Sequence, residues 1–467
     1  MTALSLRRAA REAPDAEALI DLATGARATF SALDARAAGV GRLLAARGVR
    51  EGDRVTLRAT NRVQTAAALL ALFDRGVTAV PLHPRLTEAE AAPLRDDADA
   101  AAHLDDDALD EVVRGPNDLP IVRGGEGIAA MLYTSGTSGR PKGALLPHGA
   151  LLASAEASAT NLGWRDDDRW LLCLPLCHVG GLSVLTRCLL ARRTVALLPR
   201  FDPDAVLDAI VRERTTLLSV VPTMLHALLE RDRGNALARL RAVLVGGAAC
   251  PMGLREESAA RGIQCLATYG LTEACSQVAT QSPTDPPRAR EGVGRVLPGL
   301  SLRLVDARGD DVASGEVGQI LLRGSALMRG YRGHAPLGEG WFDTGDHGAR
   351  APDGTLTVHG RRTDLIVTGG ENVYPLEVEL VASAHPDVAH ALVFGVSDPV
   401  WGQRVAMLVA PRGAVDLDAL RAWMGARLAG FKRPRLVAVV DAIPALPSGK
   451  PDRRGAISRW TEALRPW

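Results

Sequence analysis

The stretch Thr134-Ser135-Gly136-Thr137-Ser138-Gly139-Arg140-Pro141-Lys142-Gly143 holds four hydroxyls, three glycines and a lysine within ten residues. That composition suits an anion. Hydroxyls and backbone N–H groups donate to phosphate oxygens, glycines let the backbone come close, and an ammonium adds charge. The lysine is informative because only three of the chain's 55 Lys+Arg residues are lysines, namely Lys142, Lys432 and Lys450. A compact ammonium and a planar guanidinium are not interchangeable at a phosphate. The spacing is not that of a Walker loop, which needs Gly-Lys-Ser/Thr opening a helix. His178 stands in Leu174-Pro175-Leu176-Cys177-His178-Val179-Gly180-Gly181, after an apolar run and before two glycines. Six cysteines sit in apolar company, which reads as reduced, buried thiols. Cys173, Cys177 and His178 have no second ligand pair at finger-like spacing, so no zinc site is expected.

The elements that must position these groups follow from pattern. Up to about residue 102, helical stretches (31–47, 62–75) alternate with short β-like runs (53–58, 77–82), the texture of α/β architecture. An acidic, alanine-rich segment at 96–111 is expected to cover the surface, and residues 1–21 read as an amphipathic helix. Apolar runs at 128–133, 169–174, 194–198, 217–221, 242–245 and 265–269 are spaced by helical patterns such as 204–214 and 222–231. Buried, mostly parallel strands with crossover helices account for this. Beyond Pro283, period-two runs at 301–306, 318–323 and 355–359 with glycine-rich turns predict a small β-barrel or mixed-sheet subdomain. Past Asp364 the pattern is that of a compact α+β unit of ordinary domain size. The predicted organisation is therefore an α/β N-terminal domain, 1–362, with a β-rich part at 283–360, followed by a small mobile α+β domain, 363–467.

Bulk properties exclude several function classes. With 467 residues, a net charge of +1 and no basic block, the chain lacks the footprint of a nucleic-acid binder. The apolar run 66–73 is too short to span a membrane, and the N-terminus has no uninterrupted apolar stretch for a signal peptide. A soluble cytoplasmic protein is expected, and the sequence leaves homo-oligomer formation open.

The Thr134–Gly143 stretch resembles the phosphate loop of the acyl-adenylate-forming enzymes, the superfamily of acyl-CoA synthetases, nonribosomal peptide adenylation domains and firefly luciferase. Further segments in the same order extend the resemblance over essentially the whole chain. Tyr269-Gly270-Leu271-Thr272-Glu273 is similar to the motif whose aromatic ring stacks near adenine, whose threonine contacts phosphate and whose glutamate helps hold Mg²⁺. Trp341-Phe342-Asp343-Thr344-Gly345-Asp346 resembles the motif whose last aspartate grips the ribose hydroxyls, assisted by Arg361, with Asp364 at a hinge. Gly246-Gly247-Ala248 matches a loop lying against adenine, and Thr368-Gly369-Gly370-Glu371-Asn372 one that helps form a tunnel for the thiol. Pro447-Ser448-Gly449-Lys450 resembles the motif bearing the catalytic lysine.

What the resemblance implies is an ATP-dependent ligase that uses Mg²⁺ and coenzyme A. A carboxylate attacks the α-phosphorus of ATP, and because both are anions, catalysis must neutralise charge and align the attack. In that scheme Lys450, His178 and Glu273 are catalytic, Glu273 is the metal ligand, and Lys142 with the hydroxyl loop receives pyrophosphate. Gly247, Ala248, Tyr269, Gly270, Thr272, Asp346 and Arg361 face the nucleotide, Gly369 and Gly370 face coenzyme A, and Lys432 either meets a coenzyme A phosphate or simply decorates a turn. Within the superfamily, the segments around His178 and Glu273 and Trp401-Gly402-Gln403 are similar to o-succinylbenzoyl-CoA synthetases of menaquinone biosynthesis. Aryl- or medium-chain acyl-CoA synthetases and enzymes that load carrier proteins are the alternatives.

Overall fold

The computed structural model describes residues 4–116, 127–134, 141–285, 292–368, 371–446 and 451–467. Two large sheets carry the N-terminal part. The first has nine strands in the order Arg295–Val296, Ser276–Thr280, Cys265–Leu271, Ala242–Val245, Leu217–Val220, Arg169–Leu172, Thr194–Leu197, Glu17–Asp21 and Arg27–Thr29. Its central strands pair in parallel, with antiparallel strands only toward the two edges. The second has six strands in the order Gly330–Tyr331, Lys142–Pro147, Ile128–Thr134, Thr78–Leu82, Arg54–Arg58 and Ala102–Leu104.

The helix Val63–Asp74 explains how the two sheets hold together. Its sequence, Val-Gln-Thr-Ala-Ala-Ala-Leu-Leu-Ala-Leu-Phe-Asp, is apolar around its circumference, and every residue from Thr65 to Asp74 is buried. A helix apolar on all sides must be covered on all sides. One hydrophobic cluster accordingly joins it to Val55, Leu57 and Ala79 of the six-stranded sheet and to Trp170, Leu172, Val195 and Leu197 of the nine-stranded one.

Leu300–Val305, Gly318–Gly324, Phe342–Arg350 and Leu356–Arg361 form a four-stranded antiparallel sheet, with alternating burial along Gly318–Gly324 as the period-two pattern predicts. Residues beyond Asp364 build a last sheet around the long antiparallel pair Val388–Asp398 and Gly402–Pro411. Its two hydrophobic clusters contain only residues from Ile366 onward.

Three expectations change. Residues 1–21 are not one helix: Leu6–Glu12 is helical, capped by the Ser5 hydroxyl, but Glu17–Asp21 is a strand inside the nine-stranded sheet. The acidic segment 96–111 is not merely a cover, since Ala102–Leu104 pairs with Arg54–Arg58 and Leu104 and Leu109 are buried. Few apolar residues suffice there because a short edge strand buries only one face. Finally, Ile128–Thr134 is answered by an antiparallel strand, Lys142–Pro147, with Thr134 opposite Lys142. Lys142–Pro147 thus runs antiparallel to both its neighbours, Ile128–Thr134 and Gly330–Tyr331, in a sheet whose other strands pair in parallel.

Candidate active site

The strand Cys265–Leu271 leaves the nine-stranded sheet through a bulge at Tyr269 and Gly270 and enters a 3₁₀ turn, Thr272–Ala274. Gly270 is required by packing: a Cβ there would lie 1.9 Å from the carbonyl oxygen of Ser276. The turn ends in two non-glycine residues with positive φ, Cys275 at 51° and Ser276 at 116°. Such backbone costs about 1–3 kcal/mol per residue and persists where the surroundings enforce it. Here the Ser154 hydroxyl donates to the Cys275 carbonyl at 2.8 Å, and Arg187 Nη2 donates to the Ser276 hydroxyl at 3.1 Å.

Two carboxylates flank this turn. The Tyr269 hydroxyl donates to Asp346 Oδ2 at 2.6 Å, and Arg361 Nε approaches Asp346 Oδ1 at 3.3 Å. Asp346 and Arg361 face each other across paired strands, Phe342–Arg350 and Leu356–Arg361. Burial and the Asp346 charge together hold the Tyr269 phenol well above its ordinary pKa, so it is a fixed donor. The second carboxylate, Glu273, is buried and accepts the Tyr331 hydroxyl at 2.5 Å. Burial, then the Glu273 charge, raises the Tyr331 pKa as well. No ion pair to Glu273 occurs among the described residues. A buried, anionic oxygen donor without a cationic side-chain partner fits a hard divalent cation such as Mg²⁺.

Lys142 reaches the same seam. It opens the strand Lys142–Pro147, against which Gly330–Tyr331 pairs, and its Nζ lies 5.4 Å from the centroid of the Tyr331 ring. Thr134, opposite Lys142, directs its hydroxyl to the Lys142 carbonyl at 3.4 Å. Gly247, with φ of 78°, and the exposed Ala248 follow the strand Ala242–Val245, which pairs with the Tyr269 strand. The structure thus brings Thr134, Lys142, Glu273, Asp346, Arg361, Tyr269, Gly270 and Thr272 to one seam where the two large sheets and the four-stranded sheet meet. Lys432 stands apart: its Nζ donates to both oxygens of Glu377, at 2.7 and 2.9 Å. Ser135, Gly136, Thr137, Ser138, Gly139, Gly369, Gly370 and Lys450 lie outside the described residues.

His178 caps the N-terminus of the helix Val179–Ala191, after the strand Arg169–Leu172. The preceding segment is clamped by Asn61, whose Nδ2 donates to the Leu174 and Leu198 carbonyls at 3.0 and 3.1 Å and whose Oδ1 accepts the Leu176 N–H at 3.1 Å. Gly181 permits the tight entry, since a Cβ would lie 2.3 Å from the Pro175 carbonyl oxygen.

Two residues of the site are absent from the sequence reading. Tyr331 lies 58 residues from Glu273 and carries no motif of its own. Arg187 had a signal, a lone charge in the apolar helix Val-Gly-Gly-Leu-Ser-Val-Leu-Thr-Arg-Cys-Leu-Leu-Ala. It is 3% exposed, stacks on Trp170 at 5.5 Å, and its Nε has no hydrogen-bond partner among the described residues. Burial lowers its pKa to about 10.

Fixed donors and two buried carboxylates gathered beyond the end of the strand Cys265–Leu271, beside the parallel part of the large sheet, are the arrangement of an α/β enzyme that handles phosphate esters. The chain belongs to the AMP-binding enzymes: the AMP-binding enzyme family matches residues 6–123 and 116–332, and the AMP-binding enzyme C-terminal domain matches 377–450. It is 36% identical to 2-succinylbenzoate–CoA ligase of Bacillus licheniformis, over 86% of this chain and 89% of that one. Among solved structures, o-succinylbenzoate CoA synthetase of Bacillus subtilis in complex with the acyl-adenylate intermediate superposes with a TM-score of 0.87 at 33% identity, covering 96% of each chain. ATP-bound MatB of Rhodopseudomonas palustris superposes with 0.90 at 29% identity, covering 99% of each.

Proposed function

We propose that the chain is an ATP-dependent 2-succinylbenzoate–CoA ligase, which forms an acyl-adenylate with release of pyrophosphate and then lets the thiol of coenzyme A displace AMP. Support for the first step is the Tyr269–Asp346–Arg361 arrangement beside Glu273 and Lys142. Tyr269 and Arg361 fix the orientation of Asp346, which takes the ribose hydroxyls. Gly247 and Ala248 lie against the base, and Gly270 and Thr272 bring the turn's backbone and hydroxyl to the phosphates. Mg²⁺, held by Glu273, supplies positive charge that offsets the phosphates. Lys142 and the hydroxyl loop from Thr134 through Ser135, Gly136, Thr137, Ser138 and Gly139 receive the departing pyrophosphate. Lys450 bridges the incoming carboxylate and the α-phosphate. Gly369 and Gly370 belong to the thiol path, and Lys432, once separated from Glu377, to coenzyme A. The chain divides near residue 363, in keeping with the separate hydrophobic clusters on either side.

The choice of acid is carried by Arg187. A buried guanidinium without a carboxylate partner is costly unless an anion completes it, and 2-succinylbenzoate brings a second carboxylate that a fatty acid lacks. Arg187 acts through Ser276, at the strained turn beside Glu273, or directly on that carboxylate. His178 lines the acyl side of the same pocket.

The test is pyrophosphate release with 2-succinylbenzoate, benzoate and a medium-chain fatty acid, each with and without coenzyme A. Release with 2-succinylbenzoate alone and thioester only when coenzyme A is added is the expected result. Turnover of benzoate or the fatty acid with none of 2-succinylbenzoate would discard the substrate and leave the family.

A further inference from the structure

Spacing along the chain argues against zinc, yet folding assembles ligands that spacing cannot relate. His83 directly follows the parallel strand Thr78–Leu82 of the six-stranded sheet, and Cys177 and His178 lie beyond the strand Arg169–Leu172 of the nine-stranded one. One ligand atom from each of the three lies within 4.8 Å of the other two. The two imidazole rings stand 5.8 Å apart between centroids at 45°. Cys177 is buried and both histidines are half-buried, so the ligands face a partly closed space rather than open solvent.

The donor set selects the ion. One sulfur and two imidazole nitrogens suit a borderline-soft cation and are poor ligands for Mg²⁺, which takes oxygen. Tetrahedral zinc with bonds of about 2.0–2.3 Å sets neighbouring ligand atoms about 3.4–3.6 Å apart, so the cluster closes by roughly 1 Å through side-chain rotation. Two features favour the bound form. The sulfur lies at the start of a thirteen-residue helix, whose N-terminal field stabilises a thiolate. The Asn61 clamp fixes the backbone just before it.

We propose that His83, Cys177 and His178 form a second metal site, separate from the Glu273 carboxylate, that binds Zn²⁺ with its fourth position taken by water. On binding, the Cys177 S–H bond breaks, its proton passes to buffer, and the sulfur electron pair forms the S–Zn bond; no electrons change hands. Without the ion, burial pushes the Cys177 thiol up to about 12 and lowers the His83 pKa, so the proton is there to be released and the imidazole is neutral. At His83, Nδ1 accepts the Arg85 backbone N–H at 3.2 Å, and ligation through that atom gives up this exposed bond. The Arg85 charge also favours thiolate at Cys177. Occupation withdraws His178 from the acyl pocket, so Zn²⁺ competes with the acid. That consequence rests on the pocket role proposed above; the metal binding does not.

The experiment is calorimetric titration of Zn²⁺ into the full-length protein without nucleotide, repeated in two buffers of different ionisation enthalpy. One equivalent bound with one proton released is expected. His83→Gln and Cys177→Ser should each weaken binding by more than the roughly 10–100-fold typical of losing an outer-shell partner, whereas Glu273→Gln should leave it unchanged. Should Cys177→Ser fail to fold, the half-exposed His83 carries the test. Binding below one equivalent, or unchanged in both ligand variants, or lost in Glu273→Gln, overturns the site. Zn²⁺ that binds as described but leaves the KM for the acid unaltered upholds the site and refutes the pocket role of His178.

Discussion

Replacing Arg187 by Met separates recognition from stability, because the two should move in opposite directions. The guanidinium is 3% exposed and burial lowers its pKa from the ordinary 12.5 to about 10. A depression of about 2.5 units corresponds to about 3 kcal/mol of unfavourable burial. Against this stand the Trp170 stacking, worth about 1–2 kcal/mol when desolvated, and the Ser276 hydrogen bond, worth about 1 kcal/mol. Methionine fills comparable length without charge, so Arg187→Met should leave stability unchanged or raise it by up to about 1 kcal/mol in urea unfolding. Recognition should suffer. A hydrogen bond to a charged group contributes about 1.5–3 kcal/mol, which predicts a rise of roughly 10–100-fold in KM for 2-succinylbenzoate, with benzoate activation changed less than about threefold. Steady-state pyrophosphate release with both acids reads this directly. A variant that loses several kcal/mol of stability, and activates both acids equally poorly, would show Arg187 to be a structural residue and remove the support it lends to a dicarboxylic substrate.

Tyr331→Phe deletes the phenol donor to Glu273; the Mg²⁺ concentration for half-maximal activity should rise about 10–100-fold, measured by metal titration of pyrophosphate release, and an unchanged value would dissociate Tyr331 from metal binding. Gly270→Ala forces the turn away from the Ser276 carbonyl and should cost about 1–3 kcal/mol by chemical unfolding, with a marked fall in kcat/KM for ATP. Asp74→Asn tests a buried charge. The Asp74 carboxylate accepts the Arg7 N–H at 3.0 Å, but burial raises its pKa to about 6 from an ordinary 3.8. A raised folded-state pKa means the native state holds the proton more tightly, so this group's stabilisation is complete below about pH 4 and is lost as pH climbs through 6. The asparagine variant should therefore equal the parent at pH 4 and exceed it by up to about 3 kcal/mol at pH 8; a gain independent of pH would assign the effect to something other than the charge.

Elements whose signal is local were legible in the sequence, and relations between distant elements were not. The helix Pro222–Arg231 and the strand Ala242–Val245 coincide with their sequence patterns because apolar period and flanking proline or loop residues act over a single turn or strand. The hairpin partner Lys142–Pro147 escaped because Lys-Gly-Ala-Leu-Leu-Pro carries no alternation: it lies inside the second sheet, flanked by Ile128–Thr134 and Gly330–Tyr331. Rarity of lysine singled out both Lys142, whose ammonium lies beside the Tyr331 ring, and Lys432, whose ammonium pairs with Glu377. An ammonium on a long stem binds whichever carboxylate the fold presents, so rarity selects a residue type and topology selects its partner.

The same distinction explains why carboxylates and aromatic hydroxyls alternate around the site. Asp346 and Glu273 are each buried and each accept one tyrosine hydroxyl, Tyr269 and Tyr331. A buried carboxylate needs donors, but a cationic partner would neutralise the charge required to attract ribose hydroxyls or a metal. A phenol satisfies one lone pair, stays protonated because burial and the carboxylate both raise its pKa, and leaves the negative charge in place. Arg361, half-exposed and 3.3 Å away, moderates Asp346 without cancelling it. Among the described residues Glu273 has no such arginine, and the difference suits the roles proposed above, neutral hydroxyls at the first carboxylate and a cation at the second.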